Sequence, residues 1–313
     1  MGTALVTGGS RGIGLALARE FARNGHDLVL VAREEVALER AASRLERETG
    51  VRVETRTGDL TDPGEVERLV RELEDDGIAV DVLANNAGIG DHAPLAESDP
   101  DRLERLLQLN VLGLTRLTRR LLPGMLSRGR GRILNVASLV AYFQGGPNWT
   151  TYVASKAYVL SFTRGLAMEL RGTGVSATAL APGSTDTEFV GRSGVGDVRA
   201  YRWLPKASPA RIAHVAYAGT MAGRTTVIPG LLNRLLAFLG ELHPRRVAQV
   251  VFTFLSGPGP PRLGSQAGSS RTRDTSTPDH RLRPVRLWRT RVCPAAGTGW
   301  RRSPRRSAAS RSR

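Results

Sequence analysis

In TALVTGGSRGIG, Thr3 to Gly14, a short apolar run passes straight into a glycine-rich turn, and an amphipathic stretch follows from Gly12. Gly8, Gly12 and Gly14 allow a tight turn and let backbone and ligand approach closely, while the free N–H groups at a helix start attract phosphate. The spacing is GxxxGxG, distinct from the GxGxxG of other dinucleotide folds. Taken alone, the same stretch also reads as a tight strand-to-helix turn with no ligand.

Outward from this stretch, short runs rich in Val and Leu alternate with helical patterns. Thr3–Thr7, Asp27–Ala32, Val51–Thr55 and Val80–Ala84 read as strands buried on both faces. Gly12–Asn24, Glu35–Thr49 and Pro63–Asp76 carry apolar residues at helical spacing, as in Val66, Leu69, Val70 and Leu73. Strict alternation predicts right-handed βαβ units on a parallel sheet. The pattern continues with a helix over Leu103–Leu126, a strand over Arg132–Ala137, a helix over Thr150–Arg171, a strand over Val175–Leu180, a helix over Pro209–Ala222 and a seventh strand near Thr226–Ile228. Pro123 is expected to kink or end the helix that contains it. The fold class is α/β, a doubly wound parallel sheet in one domain over residues 1–228.

Residues 229–256 read as a helical extension of that domain, with amphipathic segments Leu231–Leu242 and Arg245–Leu255 separated by His243-Pro244. Such a hairpin covers a sheet edge or a partner subunit; its apolar face also suits peripheral contact with a membrane surface through residues 231–255. From Gly257 to Arg313 the chain turns to Pro, Gly, Ser, Thr and Arg with no periodic apolar pattern, and is expected to be disordered. That tail reads as an out-of-frame product or as an arm for nucleic acid or acidic lipid.

The 313 residues carry a net charge of +16, which spread evenly would suggest an anion-surface binder. The tail alone holds 14 Arg, no Lys and two acids, a net of +12, so the body keeps only +4 and is not expected to bind nucleic acid specifically. The single cysteine, Cys293, leaves no intrachain disulfide and no cysteine metal site. His26, His92, His214, His243 and His280 lack ligand spacing, so no metal is assigned. There is no run of 18 apolar residues, and the first strand starts too early for a leader peptide; the expected compartment is the cytoplasm.

The second strand ends Val31-Ala32-Arg33, where a fold that binds NAD places an acid and one that binds NADP needs a cation for the 2′-phosphate. Arg33, with Arg11 in the glycine turn, therefore favours NADP(H) over NAD(H). Of the five tyrosines only Tyr152 has a lysine, Lys156, four residues on and so on the same helical face. A phenol needs a nearby cation to work as an acid–base group at neutral pH. Only two lysines occur among 45 basic residues, which makes the pairing informative. Ser138 follows a strand at its C-terminal end, where α/β sheets place ligands.

Together these residues resemble the short-chain dehydrogenase/reductase family over about residues 3–228. The turn from Thr7 through Gly8, Ser10, Arg11, Gly12 and Ile13 to Gly14 looks like its cofactor turn, Asp59-Leu60 like its adenine contact, and Asn85-Asn86-Ala87-Gly88 like its fourth-strand motif. Asn110, Ser138, Tyr152 and Lys156 match its catalytic tetrad, and Pro182, Gly183 and Thr185 match the segment beside the nicotinamide. Asp59 also reads as part of a loop capped at Asp62.

The resemblance implies hydride transfer between a nicotinamide cofactor and a ketone or secondary alcohol in a homodimer or homotetramer. Tyr152 would exchange the proton and Ser138 would bind the oxygen. Lys156 would hold the nicotinamide ribose and lower the phenol pKa, and Asn110 would support a proton-relay water. The loops 139–151 and 184–208 should wall the substrate with Val140, Tyr142, Phe143, Trp149, Phe189, Val190, Tyr201, Trp203 and Leu204, suiting a lipophilic carbonyl compound. Arg192, Arg199 and Arg202 suit an anionic carrier instead. A cofactor-binding regulator without catalysis is the competing reading.

Overall fold

The computed structural model describes residues 2–143, 145–186 and 206–241. The expected second helix over 245–255 and the tail lie outside the described residues, as do Phe189, Val190, Arg192, Arg199, Tyr201, Arg202, Trp203 and Leu204.

The chain alternates β1 (Thr3–Thr7), α1 (Gly12–Arg23), β2 (Asp27–Ala32), α2 (Glu35–Thr49), β3 (Val53–Thr57), α3 (Pro63–Asp75) and β4 (Val80–Asn85). Then follow α4 (Pro100–Leu107), α5 (Leu114–Ser127), β5 (Gly131–Val136), α6 (Thr150–Glu169), β6 (Val175–Leu180), α7 (Pro209–Met221), β7 (Thr226–Val227) and α8 (Leu231–Glu241). All the paired strands run parallel, in the order β3-β2-β1-β4-β5-β6-β7. The order reverses between β1 and β4, and the C-terminal ends of strands at such a switch point open the crevice where α/β sheets bind ligands.

Side chains of alternate strand positions feed two layers. Ala4, Val6, Leu28, Leu30 and Leu134 pack with Leu17, Phe21, Leu38 and Ile212 from α1, α2 and α7. Leu5, Val29, Val31, Leu83 and Ile133 pack on the other face with Val66, Leu69, Leu117 and Leu166 from α3, α5 and α6. Burial on both faces explains the near-continuous apolar strands. Asp62 caps α3, its carboxylate accepting from the Gly64 N–H at 2.7 Å with Pro63 in the first turn, as expected.

Three expectations need correction. The third strand starts at Val53, two residues later than expected, because the ladder begins at the Leu28–Val53 pair and the Arg52 N–H goes instead to the Asp27 carboxylate at 3.1 Å. The helix expected over Leu103–Leu126 is two helices, beginning at Pro100 and joined by a π-helical turn at Gln108–Gly113. Pro123 does not end α5, which runs on to Ser127 while Leu117, Thr118 and Met125 keep one face buried across the proline. Among the described residues no helix is long and apolar enough to cross a membrane.

Candidate active site

β1 delivers the glycine turn. Gly8 and Gly12 adopt φ of 65° and 57°, which side chains disfavour, and the Gly8 N–H donates to the Val31 carbonyl at 2.7 Å. A Cβ at Gly14 would lie 2.1 Å from the Gly8 carbonyl oxygen and 2.4 Å from Asn86 Nδ2, so only glycine lets helix and turn meet. Arg11 precedes α1 with no side-chain cap, and the first turn from Gly12 has no acid, leaving the helix's N-terminal N–H groups available to an anion; these features fit a dinucleotide pyrophosphate.

β4 locks this turn from the side. The Thr7 hydroxyl accepts from the Asn86 and Ala87 N–H groups at 2.9 and 3.0 Å and donates to the Ala84 carbonyl at 3.4 Å, while Asn86 Nδ2 donates to the Thr7 carbonyl at 3.0 Å. Thr7 and Asn86 thus hold the crevice together. Ile13 packs its side chain on the core, and Leu60 is buried.

At the rim, Arg33 Nη1 lies 3.8 Å from Asp59 Oδ2, which Arg105 also grips, and Arg11 Nη2 lies 2.5 Å from Glu34 Oε2. Burial works against the Asp59 charge. Hydrogen bonds from the Thr61 N–H and hydroxyl, with the Arg105 and Arg33 guanidinium groups, nevertheless hold its carboxyl below the usual range. Arg11 and Arg33 share one corner, each facing an acid. Glu34 was not legible as part of this site; its position directly after Arg33 is the signal.

Asn110, Ser138, Tyr152 and Lys156 come together from three places. Asn110 sits in the π-helical turn, a feature that recurs at functional sites, and is 1% exposed. Its Oδ1 accepts from the Ile89 N–H at 3.0 Å, and its Nδ2 donates to the Ile89 carbonyl at 2.9 Å and to Ser155 Oγ at 3.1 Å. Ser155, whose hydroxyl donates to the Tyr152 carbonyl at 2.7 Å, was missed in the sequence although it adjoins Lys156. Gly88 lies against this group: a Cβ there would sit 3.0 Å from Asn110 Oδ1 and 3.4 Å from Lys156 Nζ.

Ser138 follows β5 and hydrogen-bonds the Tyr152 side chain. Burial pushes the Tyr152 phenol up to about 12, with the Ser138 hydrogen bond opposing. Burial alone pulls the Lys156 ammonium down to about 8. Lys156 Nζ donates to the Val136 carbonyl at 2.9 Å and lies 5.9 Å from the Tyr152 ring centroid. Desolvation thus dominates the phenol, while the Lys156 ammonium, expected to lower it, is turned toward a backbone carbonyl.

Beneath the tetrad, Asn85 Nδ2 donates to Thr118 Oγ1 and to Asn135 Oδ1, both at 2.9 Å, and Asn135 Nδ2 donates to Thr163 Oγ1 at 3.0 Å. This buried chain ties β4 and β5 to α5 and α6. On the far side the Leu139 N–H donates to the Pro182 carbonyl at 2.9 Å, and Thr185 Oγ1 donates to the Gly183 carbonyl at 3.0 Å. Asn233 of α8 fills the space a Cβ at Gly183 would need, its amide atoms 2.6 and 2.7 Å from that point. Tyr142, Phe143 and Trp149 are buried in one cluster with Tyr152.

The short chain dehydrogenase family matches residues 2–195. The chain belongs to this family. It is therefore an oxidoreductase that acts on CH–OH groups with a nicotinamide cofactor as hydride carrier. This family member is 38% identical to the gluconate 5-dehydrogenase of Gluconobacter oxydans over 207 residues, 66% of this chain and 80% of the relative. A short-chain dehydrogenase from Sphingobium yanoikuyae, solved in complex with NADPH, aligns with a TM-score of 0.69 at 35% identity, covering 77% of this chain and 93% of that one. The bulky-bulky ketone specific alcohol dehydrogenase from Comamonas testosteroni aligns with a TM-score of 0.65 at 30% identity, covering 78% and 96%.

Proposed function

We propose that this dehydrogenase interconverts a lipophilic ketone and its secondary alcohol, preferring NADP(H) to NAD(H). The observation that carries the reading is the Tyr152–Ser138 hydrogen bond at the C-terminal end of β5, with Lys156 and Asn110 buried beside it and the glycine turn across the crevice. A cofactor-binding regulator has no need of that arrangement.

The cofactor, when bound, supplies or accepts a hydride. Gly8, Ser10, Arg11, Gly12, Ile13 and Gly14 would hold its pyrophosphate through backbone N–H groups, Asp59 and Leu60 its adenine end, and Ala87, Gly88, Lys156, Pro182, Gly183 and Thr185 its nicotinamide half. Arg33 and Arg11 favour a 2′-phosphate, and the Sphingobium relative was solved with NADPH. In the reducing direction Tyr152, held protonated by its buried surroundings, donates its phenolic proton to the substrate oxygen while Ser138 donates a hydrogen bond to the same atom. Lys156 keeps positive charge beside the phenol as the proton leaves. Asn110 holds the loop after β4 against α6, fixing the distance across the crevice.

Tyr142, Phe143, Trp149 and the half-buried Val140 support an apolar substrate, as does the likeness to an alcohol dehydrogenase named for bulky-bulky ketones. Leu107, Leu112 and Tyr158, exposed large apolar side chains on or beside α4 and α6, support a homodimer or homotetramer. A panel of ketones and alcohols assayed with NADPH and NADP tests the reading. Turnover lost in Tyr152→Phe supports it, and inertness toward the whole panel overturns it.

A further inference from the structure

Trp149 sits where the loops leaving β4 and β5 meet. Its ring centroid is 5.4 Å from that of Tyr152, tilted by 48°, and 5.1 Å from that of His92 in an edge-on arrangement. The Ala93 N–H donates to the Asn148 carbonyl at 3.0 Å, joining the two loops one residue before the indole. Asn148 has φ 67°, the one non-glycine residue in the left-handed region among the described residues. Residues held there by their surroundings cluster at ligand sites.

The indole is only 9% exposed, and its Nε1–H is buried with no hydrogen-bond acceptor among the described residues. Its companions are Leu139, Tyr142, Phe143, Tyr152 and Val153, with Ile89, Val140 and Leu236 at the edge. A buried indole N–H ordinarily finds a partner, because leaving it unmade forfeits the bond it had with water. Here the donor lies in the apolar wall beside the residue that handles the reacting oxygen.

We propose that the Trp149 N–H binds substrate, and that the substrate therefore carries a second hydrogen-bond acceptor, a carbonyl, ether or hydroxyl oxygen, besides the group that is oxidised or reduced. This rests on the oxidoreductase reading above. A lipophilic ketone with a second oxygen would satisfy both the apolar wall and the Trp149 donor, whereas a simple hydrocarbon ketone would leave the N–H stranded.

The test compares ketones with counterparts in which methylene replaces the second oxygen function, beginning with ethyl 3-oxobutanoate against 2-heptanone, with NADPH and the full chain. The readout is the ratio of kcat/KM within each pair, so that intrinsic reactivity cancels between variants. Trp149→Phe should lower that ratio roughly 2- to 12-fold, the worth of one neutral hydrogen bond. Trp149→His, which keeps a ring N–H, should restore part of it. In the unaltered protein bound to NADP, the 15N–1H indole resonance lost in Trp149→Phe should move on adding ethyl 3-hydroxybutanoate and stay in place with 2-heptanol. A ratio unchanged by Trp149→Phe across the pairs, or an indole resonance indifferent to the second oxygen, overturns the proposal. A wild-type protein inert toward every ketone and alcohol overturns the oxidoreductase reading itself, a different result from an active enzyme whose preference ignores Trp149.

Discussion

Lys156 places its ammonium 2.9 Å from the Val136 carbonyl oxygen, at the end of the strand that leads to Ser138. One side chain thus joins the helix carrying Tyr152 to the strand that leads to Ser138. Among the described residues the ammonium has no carboxylate partner, and burial pulls it down to about 8 from 10.5.

That position carries a stability cost with a definite pH dependence. Between pH 8 and 10.5 the unfolded chain retains a lysine proton that the folded chain has released, so stability rises with pH across that window, and the cost is fully present below it. The shift corresponds to on the order of 3 kcal/mol at pH 7, from which about 1 kcal/mol is subtracted for the lost bond to Val136. Lys156→Met should therefore stabilise the protein by about 2 kcal/mol in denaturant unfolding at pH 7 while abolishing turnover. The gain should vanish by pH 10.5, and a destabilised variant at pH 7 would contradict the argument.

Tyr152→Phe removes one hydroxyl and keeps the ring against Trp149. Turnover should fall about 10²- to 10⁴-fold, the usual share of general acid catalysis, with NADPH affinity by fluorescence titration nearly constant. Tyr158→Phe is the control: that phenol is exposed, pairs with Thr115 Oγ1 at 2.9 Å and stacks on Phe162, so its loss should leave turnover within about twofold.

Arg33→Ala should weaken NADPH by roughly 10- to 150-fold relative to NADH, the worth of a hydrogen bond to a charged group. Glu34→Gln should do the opposite, since the Glu34 carboxylate lies 2.5 Å from Arg11 and competes with a 2′-phosphate for it. Being exposed, that pair is worth little, and a gain of about two- to fivefold for NADPH is expected. Equal effects on both cofactors, measured as dissociation constants, would remove Arg33 and Glu34 from cofactor choice.

Gly14→Ala forces a Cβ to within 2.1 Å of the Gly8 carbonyl oxygen, and backbone cannot give way cheaply. A destabilisation of about 1 to 3 kcal/mol in denaturant unfolding and loss of cofactor binding are expected. Gly50→Ala is a contrasting site, with open space around it but φ of 74°, where a smaller cost of about 1 kcal/mol should leave cofactor affinity intact.

Strand and helix identity was legible in Thr3–Thr7, Asp27–Ala32 and Val66–Leu73 because apolar periodicity is a local property of the chain, written into consecutive residues. The same holds for the glycine turn and for Tyr152 with Lys156, four residues apart on one helix. What lay beyond that reading joins residues far apart in the chain. Asn85 meets Asn135, Asn233 meets Gly183, Ser155 meets Asn110, and Arg11 meets Glu34 through pairings that no spacing encodes. The π-helical turn around Asn110 looks like uninterrupted helix to a periodicity argument, and no spacing encodes the Lys156 bond to the Val136 carbonyl. Local preference specifies which elements form. Desolvation and the hydrogen bonds available once those elements pack decide where each polar group points and how readily it holds its proton.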